Sequence, residues 1–112
     1  MLSKKYRFHS RGGVNYVYRK GKTIRLPKIS LVHCVNERGF QRFAVVVSKK
    51  VLKSAVGRNR IRRRVYEAIR AELPNIPGKH DYVFVIYSKD VKNMPFRELQ
   101  DTVKSLIRES MI

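Results

Sequence analysis

"QRFAVVVSKKVLKSAVGRNRIRRRVYEAIRAELP", residues 41–74, changes its hydrophobic period partway through, and that change decides the fold. Phe43 to Val47 is a short apolar run rich in β-branched residues, the pattern of a strand. From Ala55 onward the period lengthens. At about 100° per residue, Ile61, Val65, Ala68, Ile69 and Leu73 fall on one stripe of a helix, which Pro74 ends. A strand followed by a helix with one apolar face implies helices packed on a sheet.

The rest of that helix is loaded with one charge. Arg60, Arg63, Arg64 and Arg70 occupy the arc opposite the stripe, with Arg58 and Arg62 beside it. A solvated helix face usually interleaves glutamates that pair with its bases, yet Glu67 is the only acid between Lys49 and Arg70. Arginine brings a planar fork that binds phosphate through two hydrogen bonds and stacks on bases. Asn59, between Arg58 and Arg60, both donates and accepts, which suits a ribose hydroxyl or a base edge.

Whole-chain charge agrees. The 112 residues carry 26 Lys+Arg against 8 Asp+Glu, a formal net charge of +18 that calls for a polyanion. Nucleic acid leads, ahead of an anionic membrane surface. Residues 1–36 hold no acid at all, and residues 49–64 hold eight bases and none.

Working outward, "ISLVHCVN" (29–36) and "QRFAVVVSKK" (41–50) read as an antiparallel hairpin closed by "ERGF" with Gly39 at the turn. "YVFVIYS" (82–88) is apolar on both faces and therefore a central strand. "PNIPGKHD" (74–81) is a loop, and a last helix starts at Pro95 with Phe96, Leu99, Val103, Leu106 and Ile107 turned to the core. "SRGGVNYVYRKGK" (10–22) makes a first helix, with Ser10 as N-cap, Gly21 at its end and Gly12-Gly13 weakening its first turns. Its Tyr16 and Tyr18 lie among Arg11, Arg19, Lys20 and Lys22, the mixture a single-stranded segment needs for stacking and phosphate pairing. The expected order is α-β-β-α-β-α, an α+β fold in the form of a small α/β sandwich. At this length, without repeats or linkers, residues 1–112 form one domain.

Catalytic groups are sparse. His9, His33 and His80 are scattered without metal-ligand spacing, and His33 reads as a structural residue in a strand. His80 and Asp81, adjacent in the loop, point apart rather than forming a dyad. No phosphate-binding glycine loop or paired-carboxylate pattern occurs. Cys34, the single cysteine, excludes an internal disulfide and is expected half-buried in its strand. No apolar run approaches a membrane span and no signal-peptide core is present, which places the chain in the cytoplasm without a membrane partner. The residues alone leave open an enzyme subunit and a purely structural RNA-binding module; a protein-only nuclease would need a carboxylate cluster that the chain does not display.

Val47-Ser48-Lys49-Lys50, Ala55, Arg58-Asn59-Arg60, Ile61, Arg62-Arg63 and Glu67-Ala68, with "YVYRKGK" upstream, closely resemble the bacterial ribonuclease P protein subunit. The resemblance implies a ribonucleoprotein that removes the 5′ leader of precursor tRNA by hydrolysis, leaving a 5′-phosphate. The catalyst would be the RNA component, with Mg²⁺ bound chiefly by that RNA, no protein catalytic residues and no metal on the protein. Lys49, Lys50, Lys53, Arg58, Asn59, Arg60, Arg62 and Arg63 would then bind the catalytic RNA. Val14, Tyr18, Lys20, Ser30 and Val32 would line a cleft for the single-stranded leader. The protein would be monomeric outside the holoenzyme, with a left-handed β-α-β crossover where the general rule favours a right-handed one. Arg64 stands where the family is usually apolar, and Tyr66 where it usually has arginine. Val14 replaces a usual phenylalanine, and Gly12-Gly13 replace better helix formers.

Overall fold

The structure, a computed structural model, describes residues 2–8, 11–76 and 78–112. After a 3₁₀ turn at Lys4–Tyr6 come α1 (Arg11–Lys20), β1 (Lys22–Arg25), β2 (Ile29–Val35), β3 (Arg42–Val47), α2 (Ala55–Glu72), β4 (His80–Ile86) and α3 (Phe96–Ser110). Further 3₁₀ turns span Leu73–Asn75 and Lys89–Lys92. The expected order of helices and strands holds, with one strand added. Ser10, expected to cap α1, lies outside the described residues.

The four strands form one mixed sheet in the order β1-β2-β4-β3. β4 is antiparallel to β2 and parallel to β3, so β3, α2 and β4 make a β-α-β crossover. The expected central place of residues 82–88 is therefore correct, with the strand running from His80 to Ile86. The expected hairpin is not. β2 and β3 never pair, because β4 lies between them and Asp81 at its start clasps both ends of their connection. Arg42 donates to Asp81 through Nε at 3.0 Å and Nη2 at 2.8 Å, and Asn36 Nδ2 donates to the same carboxylate at 2.7 Å. Gly39, with φ +79°, makes its turn inside this clasp rather than between paired strands. The expected strand at 41–50 also stops early: Val51 and Leu52 N–H both donate to the Ser48 carbonyl and turn the chain toward α2.

The sheet separates two apolar layers. Ile29, Leu31, Phe43, Val45, Tyr82, Phe84 and Ile86 face α2 and α3. Ile61, Val65, Ala68 and Ile69 of α2 are all buried there, as are Leu99, Val103, Leu106 and Ile107 of α3. Phe96 is a correction: at 41% exposure it is not part of the α3 stripe, and Met94 and Val91 fill the core before the helix starts. The opposite face carries Val32, Ala44 and Val83 under Phe8 and the fully buried Val17 of α1, with Val14, Val46 and Cys34 packed around them. Gly21 lets α1 turn straight into β1. A Cβ there would come within 2.5 Å of the Val17 carbonyl and 2.7 Å of the His33 carbonyl.

Candidate nucleic-acid interface

The entry to α2 is built to hold a basic loop. Ser54 caps the helix by accepting from Gly57 N–H at 3.0 Å, a contact of about 1 kcal/mol. Gly57 is buried, and a Cβ there would lie 2.6 Å from Leu52 Cδ2, so the loop packs directly on helix backbone. Arg58 turns back and donates from Nη1 to the carbonyls of Leu52 at 3.0 Å and Lys53 at 2.7 Å. Its guanidinium thus braces the segment that displays Lys49, Lys50 and Lys53, all exposed.

Along α2 the arginines divide by task. Arg62 donates to the Asn59 side-chain oxygen at 2.7 Å, one turn back, while Arg63 faces solvent. Arg60 reaches the Lys92 carbonyl at 3.4 Å, a long contact that leaves most of its donors outward. Arg64, expected on the outward arc, does something else. Its guanidinium bends inward onto the carbonyls of Val91 at 2.6 Å and Lys92 at 3.0 Å, and also onto that of Met94. Burial and then the nearby Arg60 charge lower its pKa. Among the described residues, none of Lys49, Lys50, Lys53, Arg58, Arg60, Arg62 and Arg63 stands in an ion pair.

Beside this face, a groove of about 940 Å³ runs along the outer edge of β3. Arg62, Arg63 and Asn59 form one wall, Lys4 and Arg7 one end, and Val14 and Val46 the apolar side; no carboxylate lines it. The strand edge is partly closed. Phe8 N–H donates to the Phe43 carbonyl at 2.9 Å, and the buried Tyr66 lines the groove beside Val45. The Arg7 guanidinium sits 5.8 Å from the Tyr66 ring. Lys4, Arg7 and Tyr66 were not among the expected site residues, although the acid-free N-terminal stretch was the signal for Lys4 and Arg7.

The expected cleft residues do not share one place. Val14 lines the groove with Asn59, Arg62 and Arg63. Tyr18 and Lys20 are exposed on α1, Val32 is buried beneath it, and Ser30 is fully buried on the same sheet face. Both Tyr16 and Tyr18 point outward, so Val17 alone supplies the fully inward contact of that turn.

Groups capable of acid–base or metal chemistry stay apart. Among the described residues no three of His, Cys, Asp and Glu come together as a metal site. His80 and Asp81, expected in a loop, open β4 and alternate across the sheet. Asp81 is spent on Arg42, while His80 joins His33 and Tyr82 in an aromatic cluster with ring centroids 5.9–6.4 Å apart. Cys34 is half-buried as expected, and burial raises its thiol pKa. No helix of the described residues is long and apolar enough to cross a membrane.

Comparison with known proteins places this arrangement. The sequence profile of the family described as Ribonuclease P matches residues 2–110. A ribonuclease P protein component of Chloroflexus aurantiacus is 35% identical over 111 residues, covering 99% of this chain and 82% of its own. One from Clostridium kluyveri is 31% identical, covering 94% of each. Ribonuclease P proteins of Staphylococcus aureus and Thermotoga maritima share the fold. Their TM-scores are 0.83 and 0.82 at 23% and 22% identity, covering 96% and 92% of this chain and 90% and 96% of theirs. The chain, with its braced basic loop and arginine-faced helix, belongs to the ribonuclease P protein component family.

Proposed function

We propose that this chain is the protein subunit of a ribonuclease P holoenzyme that removes the 5′ leader of precursor tRNA in the cytoplasm. The observation that carries the reading is the row of bases from Lys49 to Arg63 that, among the described residues, stand in no ion pair, continuous with a groove in which no described carboxylate lies. Lys49, Lys50, Lys53, Asn59, Arg60, Arg62 and Arg63 bind the catalytic RNA, and Arg58 positions the loop lysines from behind. Phosphate contacts of this kind supply affinity that falls steeply with salt.

The single-stranded leader crosses the α1 side, against Val14, Tyr18 and Lys20, while Ser30 and Val32, buried beneath that side, back it from the sheet. The bond cleaved is a phosphodiester, hydrolysed to leave a 5′-phosphate on the tRNA. The groove offers no carboxylate to Mg²⁺, which prefers oxygen ligands, so its residues do not fit the ion. Mg²⁺ belongs to the RNA in this reading. The protein contributes binding and charge neutralisation, as a monomer outside the holoenzyme.

Reconstitution with the cognate catalytic RNA tests the reading. The protein alone leaves precursor tRNA intact; added to the RNA, it accelerates cleavage at low Mg²⁺ and favours precursor over mature tRNA. Absence of stimulation overturns it and leaves a structural RNA-binding module.

A further inference from the structure

Two arginines of α2 share one acceptor. Arg60 and Arg64, one helical turn apart, both donate to the Lys92 carbonyl, at 3.4 Å and 3.0 Å. Arg64 reaches on to the carbonyls of Val91 at 2.6 Å and of Met94. Two guanidinium groups held on one oxygen repel each other, and like charges at this helical spacing are destabilising. What they hold is the 3₁₀ turn Lys89–Lys92, which carries two more positive charges.

The turn is fixed from several sides. Val91 and Met94 are buried and plug it into the core, and Ser88 caps its start by accepting from the Asp90 N–H at 3.1 Å. Between the turn and the basic loop runs a cleft of about 460 Å³, with Leu52 on the loop side and Lys89, Lys92 and Asn93 on the other. The Leu52 carbonyl also accepts from Arg58. The loop that displays Lys49, Lys50 and Lys53 and the turn that displays Lys89 and Lys92 are therefore two banks of one cleft. Of the two carboxylates lining it, Asp90 lies 3.9 Å from Lys28. Glu98 stands in the first turn of α3, where a helix favours negative charge. Lys89 and Lys92 form no ion pair among the described residues. Val91 and Met94 already anchor the turn without charge. Concentrating Arg60, Arg64, Lys89 and Lys92 on one flank costs the free protein a repulsion that bound phosphates relieve.

We propose that the turn Lys89–Lys92 is a second bank of the catalytic-RNA surface. Lys89 and Lys92 bind phosphates next to those on Arg60 and the loop, and Arg64 is the positioning residue that sets their spacing from α2. The inference rests on the catalytic-RNA reading of α2 and carries that surface across the cleft, onto a segment that no basic motif marks.

The test titrates the intact protein against the cognate catalytic RNA, without substrate, across a salt series. Lys89→Ala and Lys92→Ala are each expected to weaken binding about 2- to 10-fold and to lower the salt slope by about 1. Arg108→Ala removes the same charge from the exposed side of α3 and should leave the slope as it is. An equal drop there overturns the site in favour of a diffuse charge effect. Arg64→Leu, assayed where urea melts show it folded, should weaken binding by a similar factor with the slope intact. In a protein that already carries Lys89→Ala and Lys92→Ala, the same substitution should cost no further affinity. A fully additive loss, or no loss in the wild-type background, overturns the positioning role. If both lysine variants bind as wild type while Arg62→Ala still lowers the slope, the turn proposal falls and the α2 reading stands. If Arg62→Ala leaves the slope unchanged as well, the α2 reading falls with it.

Discussion

The Arg62 guanidinium donates to the Asn59 side-chain oxygen at 2.7 Å, which ties the uncharged residue of the Arg-Asn-Arg stretch to the next turn of α2. Asn59 thereby holds the Arg62 guanidinium in place, and both side chains line the groove. Asn59→Ala is expected to weaken catalytic-RNA binding by about fivefold, the cost of one exposed charge-assisted hydrogen bond. Its salt slope should match the wild type, because no phosphate contact is removed. Arg62→Ala should lower that slope by about 1. Affinity titrations across a salt series measure both.

Arg64 predicts the reverse pattern. Its guanidinium satisfies carbonyls of Val91, Lys92 and Met94 and locks the chain before α3 to α2. Arg64→Ala takes this donor from the Val91 and Met94 carbonyls, leaving Arg60 on that of Lys92, and should cost about 1–3 kcal/mol of stability by urea denaturation. The salt slope of RNA binding should be unaltered.

Arg42 and Asp81 form the most buried ion pair described, with side-chain exposures of 17% and 6%. Removing one partner strands the other. Arg42→Ala is expected to destabilise the protein by about 3–5 kcal/mol, seen as a lower denaturation midpoint. Because the same carboxylate holds Asn36, backbone amides of residues 36–42 should lose hydrogen-exchange protection first.

His33 sets a pH dependence. Burial, then the His80 charge, then Lys22 lower its pKa from the usual 6.5. Below that usual value the unfolded chain binds the proton more readily than the folded one, so stability falls as pH drops from 6.5 toward the lowered value. His33→Asn should flatten this part of the curve in urea melts at stepped pH.

Much of this was legible in the chain. The stripe through Ile61, Val65 and Ile69 named the inner face of α2, and the two-sided apolar run at 82–86 named the middle strand. The failures have physical causes. β1 turns only Ile24 toward the main core, so its four residues lack the alternation that marks a strand. The hairpin reading failed because a turn signal says that the chain reverses, not that its arms touch; a carboxylate from a distant strand separates them. Arg64 shows a further limit. Helical phase gives the direction of a Cβ, while an arginine's long stem can swing its charge to partners far around the helix. The grouping of Val14 with Asn59, Arg62 and Arg63 joins two helices across a strand edge, which no local pattern reports.

The position of β4 has a consequence for synthesis. The middle strand is the last of the four to be made, so β2 and β3 wait unjoined until residue 86 has left the ribosome. β1 and β2 can pair as they emerge, but neither can be joined to β3 before β4 arrives, and long-range pairing of this kind is slow to nucleate. Until then β3 has no strand neighbour in the sheet, and the inner edge of β2 is open. The sheet closes in a single late event, as the final strand slides between two waiting neighbours.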